Sequence, residues 1–378
     1  MSTRTPSYKL PLLEAREAET RLCTYCPKLC RPACPVGNAE AKESTIPWGI
    51  MRGLGELTRG VVRPGAESDV AATAWACTRC GNCRTMCLLD NPVAETVLDA
   101  RSDVFAAGIA PPSVKSVSER FGERLERIAK TAEERGPIDV DRGDGTTAYI
   151  PGCTAVLFDH EAVEAGARAV ARLSPSGGCE VVRDFCCGAP LLDAGDREAF
   201  LQHARRVAMD LGSYAHIVTG DAGCAHTLKV LYASLGVSAS RWERVEHVAE
   251  LAARNTHLLD RVEEKREVVM HDACRLGRGM GVYEAPRAVV SAVIGRAPTE
   301  LPTHHEHSRC SGAGALLPVT RPETAKRVAH ELAEDVREVT HDREAVVVTS
   351  CAASRRALLE AGVAAEDLTL WIARGLTR

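Results

Sequence analysis

Eight cysteines near the start of the chain fall into two tight runs whose spacing suits metal chemistry. Cys23, Cys26, Cys30 and Cys34 stand within twelve residues, and Cys77, Cys80, Cys83 and Cys87 within eleven. Packing alone does not call for such density, whereas thiolates are soft donors that bind soft metals and tune iron–sulfur potentials. The second run reads CxxCxxCxxxC, the bacterial ferredoxin pattern, in which three cysteines hold one cubane and the fourth serves the other. That cross-ligation rule assigns Cys23, Cys26, Cys30 and Cys87 to one [4Fe-4S] cluster, and Cys34, Cys77, Cys80 and Cys83 to a second. The first run departs from the pattern by one extra residue between Cys26 and Cys30, and Leu88 stands where a proline usually follows the last cysteine. Two other readings stay open: structural zinc, which favours closed Cys₄ sites built from separated CxxC pairs, and plain burial of small thiols.

Composition bounds the setting of this chemistry. A chain of 378 residues with 45% hydrophobic content forms a substantial core, so two or three globular units are expected. A formal charge of −4, with no basic run, gives no electrostatic case for nucleic acid. The N-terminus lacks the apolar core of a secretory signal, and no stretch approaches the roughly 20 apolar residues of a transmembrane segment, so a cytoplasmic protein is expected. Its sixteen cysteines should then be reduced and available as ligands.

The elements that position the thiols follow from periodicity. Between the two runs lie 42 residues, and AESDVAATAWA before Cys77 and PVAETVLDARSDVFAAG after Cys87 both read as helices, with Pro92 at a helix start. An α-helical two-cluster ferredoxin module over residues 1–110 is expected. Residues 111–145 read as a linker: Val114, Val117, Phe121, Leu125 and Ile128 predict one amphipathic helix, and GPIDVDRGDGT marks the boundary after it.

The remainder is a duplication, residues 146–265 and 266–378. Cys153, Cys186 and Cys224 are spaced 33 and 38 residues apart, and Cys274, Cys310 and Cys351 are spaced 36 and 41 apart. In each half, short β-branched runs (TTAYI, HIVTG; EVVM, AVVVTS) end at a cysteine-bearing loop, with helical segments such as HEAVEAGARAVARL and RPETAKRVAHELAEDV between them. That order predicts α/β repeats with parallel sheets, whose ligands gather outside the carboxyl ends of the strands.

A two-run ferredoxin module joined to a duplicated Cys…CysCysGly…Cys unit resembles the cysteine-rich, CCG-domain iron–sulfur proteins over nearly the whole chain. These include heterodisulfide reductase subunits, the glycolate oxidase iron–sulfur subunit, the anaerobic glycerol-3-phosphate dehydrogenase small subunit and lactate-utilisation proteins. By that resemblance Cys153, Cys186, Cys187 and Cys224 form a first metal site that could carry an additional iron–sulfur cluster, with Gly188 after the Cys pair. Cys274, Cys310 and Cys351 match a second site, but Ser311 replaces the second cysteine of its pair. No closing CxxC is present, because Ala225, His226 and Thr227 follow Cys224, and Ala352, Ala353 and Ser354 follow Cys351. Single closing cysteines look more like the glycolate oxidase and lactate-utilisation branches. The resemblance implies an electron-transfer subunit that relays electrons from an FAD-linked dehydrogenase subunit through two [4Fe-4S] clusters to a quinone or small-molecule acceptor, peripheral to the membrane through its partner.

Several other residues admit both a chemical and a plainer role. Vicinal Cys186 and Cys187 at a strand end are unusual as packing, which makes them ligand or catalytic redox candidates, while unmatched Cys179 reads as a buried hydrophobe. His304, His305 and His307 with Glu306 offer ligand or proton-path chemistry against a solvated loop, and His226 and His271 read as local hydrogen-bonders. The glycines between Arg275 and Gly281 do not form GxGxxG, so flavin and nicotinamide are expected to lie in a partner, since clusters move electrons singly. The alternatives are a stand-alone disulfide or thiol reductase acting at the CCG site and a zinc-stabilised interaction protein.

Overall fold

The computed structural model describes residues 8–62, 69–237 and 239–376. Its first part is a helical module with helices Glu17–Thr24, Pro35–Glu40, Pro47–Thr58, Val70–Thr73, Asn82–Thr85 and Val93–Ala106. In the last of these, Val93, Val97, Ala100 and Val104 fall on one face and pack with Ile50, Met51, Leu54 and Trp75. Pro92 is its N-cap residue, as the sequence predicts. The helix expected before Cys77 is the short Val70–Thr73 turn; residues 66–68 of that stretch lie outside the described residues.

The single amphipathic helix expected between Ser113 and Arg135 is instead two helices, Pro112–Glu119 and Phe121–Glu134, broken at Arg120 (φ −96°, ψ 16°). The break lets one stripe serve two cores. Val114 and Val117 pack into the helical module, whereas Phe121, Leu125 and Ile128 pack with Cys153, Phe200 and Trp242.

Two four-stranded parallel sheets follow. The first contains β1 (Thr147–Ile150), β2 (Glu180–Val181), β3 (His216–Thr219) and β4 (Val245–His247) in the order β2-β1-β3-β4. The second contains β5 (Glu267–His271), β6 (Thr299–Glu300), β7 (Ala345–Thr349) and β8 (Ala365–Asp367) in the matching order β6-β5-β7-β8. Central strands β1, β3, β5 and β7 are buried apolar runs, as expected for strands covered on both faces. The C-terminal helix Leu368–Gly375 packs on His160–Leu173 of the first half, so Tyr149, Val170, Val218, Val268, Met270, Val348 and Trp371 share one core. This arrangement sets the cysteine-bearing loops of both sheets at the carboxyl ends of their strands, where ligands collect in open α/β sheets.

Candidate metal centres

Within the helical module the thiols gather around two cavities. Cys23, Cys26, Cys30 and Cys87 line one of about 190 Å³, roofed by Leu29, Leu88 and Leu89. Cys34, Cys77 and Cys80 line a second and smaller one, and Cys83 borders both, so the two sites are neighbours. Seven of the eight thiols divide between the cavities in the groups expected from the ferredoxin rule, and Cys83 touches both. The extra residue between Cys26 and Cys30 is absorbed in a turn with Lys28 in the left-handed region (φ 62°), pinned by its ammonium over Trp48 and by Glu43.

Polar hydrogens point at the sulfurs. Asn91 Nδ2 donates to Cys23 Sγ at 3.2 Å, the Gly37 amide to Cys34 Sγ at 3.4 Å, and the Arg79 amide to Cys77 Sγ at 3.3 Å. Burial, followed by the neighbouring Cys30, Cys26 and Cys87, pushes the Cys23 thiol up to about 12. Burial and then Cys77, Cys80, Cys34 and Cys30 likewise push Cys83 far above the ordinary thiol range. Four thiolates crowded this way call for a cation among them, which an iron–sulfur cluster supplies. A tetrahedral zinc ion would hold its sulfurs about 3.8 Å apart, given Zn–S bonds near 2.3 Å. Among the described residues no three cysteine sulfurs lie within 4.8 Å of one another, so the wider spacing suits a cubane, whose ligands sit on separate irons.

Cations surround the second cavity. The fully buried Arg101 donates to the carbonyls of Ala74 (3.0 Å), Cys77 (2.6 Å), Asp193 (3.2 Å) and Ala315 (3.2 Å), tying the helical module to both α/β halves. Arg79, also buried, pairs with Asp193 at 2.6 Å, and Arg278 Nε donates to the Cys80 carbonyl at 2.7 Å. Sequence reading passed over these arginines. Arg101 stands on the apolar stripe of its helix beside Val97 and Val104, and a charge on such a stripe is a legible signal of a buried role.

In the first α/β half, Cys153 follows β1, Cys186 and Cys187 follow β2, and Cys224 follows β3. They form a chain of thiol contacts, with Cys224 Sγ 3.8 Å from Cys187 Sγ and Cys186 in hydrogen-bond reach of Cys153. Gly152 (φ 93°) makes this possible, because a Cβ there would meet Asp221 at 2.7 Å and Cys224 Sγ at 3.6 Å. Arg124 Nη2 donates to Cys153 Sγ at 3.1 Å, and Tyr232 and His203 hold the carbonyls of Cys187 (2.9 Å) and Cys186 (2.6 Å). The hydrogen bond with Cys186, then burial, pushes the Cys153 thiol well up. Cys186 and Cys187 are only 1% and 4% exposed.

The second half is arranged differently. Cys310 stands in hydrogen-bond reach of Cys274 and also of Cys80, and its Sγ lies 3.4 Å from Thr78 Oγ1. A cysteine of the helical module thus meets two of the second α/β half, a convergence absent from the sequence reading because nothing local encodes it. Cys351 sits with Ser354, and Ser311 Oγ is bonded to Ser354 Oγ at 2.8 Å. Hydrogen bonding to Cys310 holds the Cys274 thiol down to about 7 against burial, with help from Arg275 and Arg278. Cys274, Arg275, Arg278, Cys80 and His226 line a cavity of about 700 Å³.

The remaining candidates resolve simply. Cys179 is fully buried in the apolar core, and His271 Nδ1 bonds Thr349 Oγ1 at 3.0 Å. His226 packs against Gly279, where a Cβ would fall 2.6 Å from its ring. Ligand atoms of Glu300, His304 and His305 lie within 4.8 Å of one another, but both Glu300 oxygens are held by Arg287, and His305 Nε2 by Glu284 at 2.8 Å.

Family models agree with this geometry. A 4Fe-4S dicluster domain matches residues 19–90, and a cysteine-rich domain matches 147–229 and again 268–354. The chain is a cysteine-rich-domain iron–sulfur protein. Among its relatives, a fumarate reductase (CoM/CoB) subunit of Methanothermobacter marburgensis is 27% identical over 85% of this chain, which spans 64% of that relative's length. A dihydromethanophenazine:CoB–CoM heterodisulfide reductase subunit of Methanosarcina barkeri is 25% identical over 100% of this chain and 99% of its own. Lactate utilization protein A 2 of Bacillus cereus is 26% identical over 40% of this chain and 68% of its own. This iron–sulfur protein is therefore similar to subunits of multi-subunit reductases. No helix among its described residues is long and apolar enough to cross a membrane.

Proposed function

We propose that the chain is the electron-transfer subunit of a cytoplasmic oxidoreductase, relaying electrons from a flavoprotein dehydrogenase to a quinone or other acceptor. The observation that carries this reading is the continuity of the thiol sites. The two thiol-lined cavities share Cys83, and the second abuts Cys310 and Cys274 through Cys80. In this reading Cys23, Cys26, Cys30 and Cys87 hold one [4Fe-4S] cluster and Cys34, Cys77, Cys80 and Cys83 the other, while Cys153, Cys186, Cys187 and Cys224 hold an additional centre. Such clusters supply one-electron carriers when bound. The protein's residues orient the thiolates, donate N–H groups to them and exclude water.

The partner's place is supported by an apolar rim. Around the first cavity Tyr25 is 87% exposed and Leu88 88% exposed, with Leu29 and Leu89 beside them, and an exposed apolar patch of this kind marks a docking face. Hydride chemistry belongs to flavins and nicotinamides, and this chain has no motif for either, so the organic donor is assigned to the partner.

One observation bears on the disulfide-reductase alternative. The names of the methanogen relatives include a heterodisulfide reductase, yet Cys186 and Cys187 are buried among Phe185, Leu191 and Tyr232. Their burial favours ligation over direct contact with substrate. The test is anaerobic purification of the tagged protein from its own host, with identification of co-eluting chains. Co-elution of a flavoprotein whose substrate bleaches the cluster absorbance is expected; a solitary protein with no reducible cluster would overturn the proposal.

A further inference from the structure

We propose that Glu300, His304 and His305 form a binding site for a divalent transition-metal ion, and that the bound ion clamps the loop between β6 and Cys310. The site lies outside the cysteine cavities and stands independently of the electron-transfer reading.

One ligand atom from each of the three residues lies within 4.8 Å of the other two, and Nδ1 of His304 faces Nδ1 of His305 at 2.6 Å. Two imidazoles and a carboxylate are a donor set that zinc and similar ions take, with water in an open fourth position. Zn–N bonds near 2.1 Å set two nitrogens of a tetrahedral site about 3.4 Å apart, so the exposed His304 ring has to swing out by less than about 1 Å.

The neighbours hold these donors as metal ligands are held. His305 Nε2 meets Glu284 Oε1 at 2.8 Å, an arrangement that puts the ring proton on Nε2 and leaves the Nδ1 lone pair turned to His304. Arg287, forked between Glu300 and the buried Asp272, fixes the direction of the Glu300 carboxylate, whose oxygens each retain a second lone pair. Asp272 Oδ2 also accepts from the His305 amide at 2.7 Å, and His305 is in the left-handed region at φ 53°, which a residue with a Cβ rarely adopts. The backbone is thus held so that two successive histidines turn toward each other. Around them the carboxylates of Asp272, Glu284 and Glu300 outnumber the one guanidinium bonded to them, that of Arg287, and this balance favours a cation.

The loop brings such an ion to a junction. Thr85 of the helical module and Arg278 of the second α/β half both donate to the Glu306 carbonyl, at 3.3 and 2.9 Å, and Arg278 donates to the Ser308 carbonyl at 2.9 Å. Joining His304 and His305 to Glu300 on β6 ties that junction to the sheet.

The test is zinc binding to the anaerobically purified, cluster-containing protein after a chelator wash and desalting. A single zinc per chain is expected, with nitrogen and oxygen but no sulfur donors at the zinc X-ray absorption edge, and with iron content as before zinc addition. His304→Ala and His305→Ala should each weaken binding at least ~10-fold, and His307→Ala, which removes an imidazole outside the group, should leave it unchanged. Amide hydrogen exchange across residues 304–308 should slow on zinc addition in the wild type and not in His305→Ala. Sulfur donors at the edge would overturn the proposal, because the ion would then sit among the cysteines. So would equal zinc binding by wild type and His305→Ala, an equal loss in His307→Ala, which marks adventitious binding by exposed imidazoles, or loop exchange that zinc leaves unchanged. The wild-type edge and exchange decide the matter alone if a variant fails to fold.

Discussion

Arg101 shows how one residue can join three parts of a chain. Its guanidinium satisfies carbonyls from the helical module (Ala74, Cys77), the first α/β half (Asp193) and the second (Ala315). Five N–H donors on a rigid fork suit that task, and an ammonium does not. Burial lowers its pKa to about 10, so it stays charged at neutral pH, with Asp193 as its counter-ion. Replacing it with methionine strands several buried acceptors at about 1–3 kcal/mol each. Arg101→Met is therefore expected to lose about 3 kcal/mol or more of stability. Arg101→Lys should recover only part of it. Anaerobic denaturant titration checks both variants; a methionine variant as stable as wild type would show that the junction is held elsewhere.

At the scale of elements, the cysteine-bearing loops depend on strand ends and helix starts. Asp367 ends β8 and caps the helix Leu368–Gly375, accepting from the Thr369 amide at 2.9 Å and hydroxyl at 2.8 Å. Burial raises its pKa to about 7. The folded state then holds a proton that the unfolded chain has released above its ordinary carboxyl pKa near ~3.9. This contribution to stability is full below that value and is lost as pH rises through 7. Asp367→Asn keeps the cap acceptor and cannot ionise, so its unfolding midpoint should fall less than that of wild type between about pH 4 and 7. Equal slopes in denaturant titrations of the two proteins would contradict the assignment.

The elements also show what sequence could and could not say. Central strands β1, β3, β5 and β7 were legible as β-branched runs, and His160–Leu173 as an amphipathic helix. Edge strands β2, β4, β6 and β8, only two or three residues long, are too short for any period to register. The break at Arg120 escaped because the apolar spacing continues across it while the core beneath it changes. Chain order alone groups Cys274, Cys310 and Cys351, so the pairing of Cys310 with Cys80 belongs to the tertiary fold.

For the molecule as a whole, a duplicated α/β scaffold carries a helical module whose two cavities lead from an exposed rim to the second sheet's loops. The rim makes a direct prediction. Leu88→Glu with Leu89→Glu places charge on the apolar rim while keeping every thiol, so partner co-elution should fall at least ~10-fold, the equivalent of 1.4 kcal/mol, while both cluster signals persist. Loss of the signals together with the partner would mean that these leucines serve the cluster instead. The central claim is that the eight cysteines of the helical module hold two neighbouring [4Fe-4S] clusters, with Cys34 and Cys87 exchanged between the runs. Electron paramagnetic resonance of the anaerobically reduced wild type, Cys34→Ser and Cys87→Ser tests it most directly. Two magnetically coupled [4Fe-4S] signals are predicted for the wild type, with Cys87→Ser perturbing the cluster of Cys23, Cys26 and Cys30, and Cys34→Ser the other. A colourless, zinc-loaded wild type, or two variants that each perturb the cluster of their own run, would contradict it.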